Sequence, residues 1–203
     1  SLFPISYSPF PQLTYQLILF LHYYDKLVTL SKNQFIMTSR IPFVIAILTL
    51  ICGVFISIIF GANEDFFKDK IKEGLSKNEK INLIQDATEK DAVLKAEAEK
   101  NWRYYQRFHF HATGIGAMVM GVLLFISFLS APQGIKNITS YATAIGGFLY
   151  PFVWLFAAIY GPELGREVAK EKYAVFGYMG GLFLLGLFLS LFMALKYPFK
   201  TSK

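Results

Sequence analysis

Residues 91–124 read DAVLKAEAEKNWRYYQRFHFHATGIGAMVMGVLL, from Asp91 to Leu124. The first third is rich in Ala, Glu and Lys, all strong helix formers suited to water. From Phe108 to Ile135 there is no Asp, Glu, Lys or Arg. A helix of about 20 apolar residues is enough to cross the hydrocarbon core of a bilayer. Neither Pro nor Gly falls between Asp91 and His111, so nothing there stops a helix. The stretch predicts one helix that begins outside a membrane and ends inside it.

Three further windows are free of charge: Ile41–Asn63, Asn137–Pro162 and Tyr173–Leu195. The chain of 203 residues is 54% hydrophobic and 17% charged, whereas soluble domains carry about a quarter charged residues. This excludes a soluble enzyme, a secreted disulfide scaffold and a disordered tail. The predicted fold is an all-α integral membrane protein. Four transmembrane helices form a bundle, with a helical extramembrane hairpin between the first and second spans. The boundaries read as an N-terminal extension over 1–36, interfacial or not native, and a first transmembrane helix over 37–63. An extramembrane hairpin over 64–107 and a three-helix unit with short connections over 108–203 follow.

Ser1–Tyr24 is uncharged but broken by Pro4, Pro9 and Pro11, and its apolar part from Leu13 to Tyr24 is too short to span. Met37, Thr38, Ser39 and Arg40 ahead of a long apolar run look like a bacterial start with a signal anchor. The competing reading is a cleaved signal peptide, since Gly61, Ala62 and Asn63 offer small residues. Ile41–Phe60 exceeds the usual apolar region of about 7–15 residues, which favours the anchor. The single cysteine, Cys52, lies inside this run and reads as a packing residue.

In the insert, Phe66, Phe67, Ile71 and Leu75 keep a helical spacing. Ser76 and Glu79 match a capping box that would start a second helix, and a third begins near Asp86 or Thr88. Ten acidic and ten basic residues occupy 62–107, several at i,i+4 spacing. They read either as a self-neutralising solvated surface or as a docking arm for a soluble partner. Net charge places the termini in the cytoplasm of a bacterial cell, with 64–107 outside the cytoplasmic membrane. A bare count of Lys and Arg points the other way.

Packing inside lipid favours small residues that let backbones approach. Ala112/Gly116, Ala117/Gly121, Ala142/Gly146 and Gly177/Gly181 are candidates, and Pro151 predicts a kink in the third span.

The densest polar chemistry lies at the mouth of the second span. On a helix, Arg103, Arg107 and His111 form one stripe, and Tyr105, His109 and Thr113 form another about 200° away. His109 and His111 then face opposite sides and cannot share a metal. Glu163, Arg166 and Glu167 follow the third span and return to the same side. Glu163 and Glu167 are expected to pair with Arg103 or Arg107. With Tyr104, these residues read as an ion-pair lock among interfacial aromatics, or as a polar pocket for a small ligand, lipid headgroup or metal.

No catalytic motif is present: no H-E-x-x-H, nucleophile elbow or phosphate loop. No Asp or Glu falls within a span, as an ion-coupled transporter would require. The basic excess is scattered and accompanied by no nucleic-acid motif. The leading expectation is a non-enzymatic accessory or interaction protein with no cofactor. Its partners are the lipid bilayer and a membrane or soluble protein bound through 64–107. One alternative is a redox subunit in which His109 or His111 ligates a metal or haem; His22 is the only other histidine. Another is a membrane enzyme acting on a lipid or small molecule, with His109 as general base.

Overall fold

The computed structural model describes residues 39–200, so the expected extension over 1–36 lies outside the described residues. Ser39 caps α1 (Arg40–Ala62), its hydroxyl accepting the Ile41 N–H at 3.4 Å. Asn63 ends α1 and caps α2 (Glu64–Ser76), its side chain accepting the Phe66 N–H at 3.0 Å.

The expected Ser76 capping box does not form. Ser76 is the last residue of α2 and its hydroxyl donates back to the Glu73 carbonyl at 2.7 Å. Asn78 caps the one-turn α3 (Glu79–Asn82) instead. An asparagine caps as well as a serine and also carries an amide donor. That donor reaches the Pro162 carbonyl at 2.9 Å, so the amide nitrogen makes a long-range bond while its oxygen caps the helix.

Asp86 caps α4 (Ala87–Phe128), as expected, accepting the Glu89 N–H at 2.8 Å. At 42 residues, α4 is about 63 Å long, twice the thickness of a hydrocarbon core of about 30 Å. A membrane that holds one half of α4 leaves the other half in water. Its buried residues Asn101, Tyr104, Phe108, Ala112, Ile115, Val119 and Leu123 recur every three or four positions. They form one continuous stripe along both halves.

The third apolar window is split into α5 (Gln133–Leu149) and α6 (Phe152–Leu164). The break falls at Tyr150 and Pro151, where proline supplies no N–H. After α6, Gly165 adopts φ 87°, a conformation only glycine takes without strain, and turns the chain into α7 (Arg166–Lys172). The last helix is α8 (Ala174–Lys196). Residues 197–200 then fold back across the end of α4. Ser130 N–H donates to the Pro198 carbonyl at 2.9 Å, and Lys200 N–H to the Phe128 carbonyl at 2.8 Å.

Among the described residues, four helices are long and apolar enough to cross a membrane: α1, α4, the α5–α6 pair and α8. Only 22% of the most apolar window of α1, and the same share of α8, is buried in the protein. Phe55, Ile58, Phe188 and Leu195 point outward, while Thr49, Thr139, Ser140, Thr143 and Ser190 lie inside. Each exposed large apolar side chain forgoes about 1.5–3 kcal/mol of burial in water, and in lipid it forgoes nothing.

Backbone contact holds the spans together, though only partly through the expected motifs. Ala112 and Gly116 lie against α1, where a Cβ on Gly116 would come within 3.0 Å of the Leu50 amide. Gly146 sits against the backbone of Met179 and Phe183. Ala117/Gly121 and Gly177/Gly181 do not pack this way, and nothing lies within 4 Å of a Cβ placed on Gly121 or Gly181. The buried stripe of α8 runs through Phe183, Gly186, Ser190 and Met193. The contact on that stripe is made by Gly186, against the Thr143 backbone. Lys136, the one charge between the charge-free windows that end at Ile135 and begin at Asn137, is only 2% exposed and donates to the Leu129 carbonyl.

Candidate functional site

The upper half of α4 carries most of the residues singled out at the bundle mouth, and its helical twist sends them to two sides. Toward α6 lie Tyr104, Arg107 and His111. The Arg107 guanidinium stands 4.9 Å from the Trp154 ring and 5.5 Å from the Tyr104 ring. Stacking of this kind stabilises a cation by about 0.5–1 kcal/mol at an exposed site. His111 packs edge-on to Tyr150, and its Nδ1 donates to the Arg107 carbonyl at 2.8 Å.

Toward α1 and α2 lie Tyr105 and His109. His109 Nδ1 donates to the Gly53 carbonyl of α1 at 2.8 Å. Phe60 touches Phe67, Trp102 and Tyr105 edge-on at centroid distances of 5.0, 5.1 and 6.5 Å. Such pairs add about 0.5–1.5 kcal/mol each beyond area burial. This aromatic knot fastens α2 to both α1 and α4. The two histidines thus face different helices, and each has only its Nε2 left to offer a ligand. Among the described residues, no group of three or more His, Cys, Asp or Glu is placed to hold a metal ion.

The expected ion-pair lock exists with its signs reversed. Neither Glu163 nor Glu167 pairs with Arg103 or Arg107. Arg103 is satisfied along its own helix by Glu99, and Arg107 by the two rings. The inter-helix pair joins Arg166 to Glu97, with Nε and Nη2 at 2.8 and 3.2 Å from the two carboxylate oxygens. Lys100 adds a third contact at 3.2 Å. Burial alone would raise the Glu97 carboxyl, but the Arg166 and Lys100 hydrogen bonds and charges together bring it below the usual carboxylate range. The Glu97 hydrogen bond holds the Arg166 guanidinium above its ordinary value. Glu163 and Glu167 are exposed.

Two concavities flank α2. A cleft of about 460 Å³ lies between α2, α6, the last third of α1 and the middle of α4, with Tyr105 and Glu163 in its wall. On the other side, α2 and α4 run antiparallel and leave two adjoining hollows of about 440 and 250 Å³ that share Lys72 and Ala98. Their floor includes Ile71, Leu75, Leu94 and Trp102, and Lys68, Lys72, Lys90 and Lys95 stand at the rim.

Sequence reasoning missed Glu97, Trp154, Phe60 and Asn78 as parts of this end of the molecule. For Glu97 a signal was present. It stands four residues before Asn101, seven before Tyr104 and eleven before Phe108, in line with the 3–4 spaced stripe that Ala112 and Ile115 continue. Asn101 is fully buried, its amide donating to the Glu97 carbonyl at 2.8 Å.

No protein family matches the chain, and neither a curated protein nor a solved structure does.

Proposed function

We propose that this is a four-span membrane protein whose helical hairpin over residues 64–107 is a docking arm for a protein partner. The observation that carries the reading is the groove between α2 and α4. Its floor is apolar and Lys68, Lys72, Lys90 and Lys95 stand at its rim; Lys68, Lys72 and Lys95 pair with Glu64, Asp69 and Asp91 along their own helices, exposed contacts that a partner's carboxylates can replace. An acidic amphipathic helix is the complementary shape: apolar anchors at i, i+3, i+4 and i+7 in the groove, carboxylates toward the lysines.

Rigidity supports the same reading. The arm is tied to the bundle by Arg166–Glu97, by Asn78 to Pro162 and by the aromatic knot. A pre-ordered surface spares a partner the entropy of ordering it. The hairpin lies outside the membrane and the termini in the cytoplasm, on the balance of net charge.

In-cell photo-crosslinking tests the proposal on the full chain. A photoreactive residue at Leu94 or Lys95 is expected to give one discrete protein adduct, removed by Leu75→Asp. The same probe at Lys100, on the opposite side of α4, is expected to give none. Equal adducts at Lys95 and Lys100, or none at either groove position, would refute the docking arm.

A further inference from the structure

The cleft on the other side of α2 has a different character. Around the helical wheel, Phe66, Lys70, Glu73 and Lys77 lie about 145° from Lys68, Lys72, Leu75 and Ser76. The two hollows therefore open on opposite flanks of the arm. α1 and α6 both pack along α4 but scarcely touch each other, and α2 roofs the gap between them. The floor of this gap belongs to the charge-free spans: Ile56 of α1, with Leu155 and Ile159 of α6. Ile159 is 45% exposed, so the gap is open sideways at the level of the apolar belt.

At the other end, four charged side chains enter the wall: Lys70, Glu73 and Lys77 from α2, and Glu163 from the end of α6. Glu73 sits between the two lysines, 2.8 Å from each. Those bonds and charges hold its carboxyl down at about 2. The α2 wall thus carries two cations and one committed anion, a net charge of +1. The α6 wall carries Glu163, which makes no ion pair among the described residues, a net charge of −1.

We propose that this cleft binds a zwitterionic aminophospholipid of the phosphatidylethanolamine type from the surrounding bilayer. One acyl chain enters between Ile56 and Ile159, the phosphate meets Lys70 and Lys77, and the primary ammonium meets Glu163. An occupant must be apolar at one end and doubly charged at the other, as a zwitterionic lipid is, and the sideways opening onto the apolar belt is where a lipid would enter. A choline headgroup has no N–H to donate to Glu163. A glycerol headgroup brings no cation and leaves that carboxylate facing a net negative lipid. The volume is within the range of about 300–1,000 Å³ usual for small-ligand sites. The site rests on the four-span reading but does not need the partner groove.

The test uses the full chain, stripped of lipid in mild detergent, then mixed with equal amounts of dioleoyl phosphatidylethanolamine, phosphatidylcholine and phosphatidylglycerol. Bound lipid is counted by native mass spectrometry. One phosphatidylethanolamine is expected to be retained about fivefold over either competitor, the size that a charge pair to an exposed carboxylate supports. Glu163→Gln, at an exposed position, is expected to reduce that preference to parity with phosphatidylcholine. Ile159→Trp is expected to fill the cleft and lower retention of all three. Equal retention of the three lipids, a preference for phosphatidylglycerol, or a preference that survives Glu163→Gln would overturn the proposal. Any of these would leave the four spans and the docking groove standing.

Discussion

The two ends of the bundle are built on different physics. At the arm end, α2, α4 and α6 are joined by large side chains: the Phe60–Phe67–Trp102–Tyr105 knot, the Arg107 stack and the Arg166–Glu97 pair. In the lower half, α5 and α8 meet almost backbone to backbone at Gly146 and Gly186, with Thr143 and Ser190 turned inward. Near water, burial of aromatic surface drives association. In lipid that drive vanishes, and van der Waals contact at close approach replaces it. The contrast shows in the glycines: Gly146 and Gly186 lie against backbone, whereas at the arm end Gly74 and Gly161 lie against the side chains of Pro162 and Asn101.

Breaking the lower half should have the largest effect. Gly146→Leu forces side-chain atoms into the Met179–Phe183 backbone, where nothing can yield as a flexible side-chain end would. The expected outcome is loss of a monodisperse peak on size exclusion in detergent. At the arm end, Phe67→Ala is expected to cost about 3 kcal/mol, confined to the arm. Hydrogen exchange should rise over 64–107 and stay unchanged over 133–196. If exchange rose equally in both regions, the two ends would not be separate in the way described.

Arg166→Met is a finer cut. The pair is bidentate and its side chains are 29% and 24% exposed, so the loss should be about 1–2 kcal/mol. Glu97→Gln should lose a similar amount, and the double variant little more than either, as a double-mutant cycle reads out. The sign of the pH effect follows. The Glu97 carboxyl is lowered from 4.5 in the folded protein, so its stabilisation is fully present above about that value. It is lost as pH falls through the lowered value. Arg166→Met should flatten that acid limb of arm stability. The smallest effect belongs to Lys95→Ala, whose partner Asp91 and itself are both well exposed. No measurable shift in thermal denaturation is expected.

Much of the architecture was legible in the chain because it depends on long runs. The charge-free windows, a distortion at Pro151, a helix start near Asp86 and the divergence of His109 from His111 all follow from composition and spacing. The ion-pair partners did not. Ten acidic residues in 62–107 look alike in sequence. Glu97 is selected only because it continues the stripe of Asn101, Tyr104 and Phe108 that faces α6. The same limit applies to the glycines. Gly121 and Gly186 sit in similar apolar surroundings, and only the rotation of each helix decides which one meets a neighbour. Lys136 could be read as a loop charge because its burial depends on residues 197–200 returning over α4, which local pattern does not encode.

The central claim is that four spans place the arm and the α6–α7 connection on one side and the α4–α5 connection on the other. Cys52 is the only cysteine, so Cys52→Ala gives a background for single-cysteine labelling with a membrane-impermeant maleimide in intact cells. Glu89→Cys and Glu171→Cys are expected to label together from outside, while Ser130→Cys labels only after the membrane is opened. Labelling of Ser130→Cys together with Glu89→Cys in intact cells would contradict the four-span arrangement.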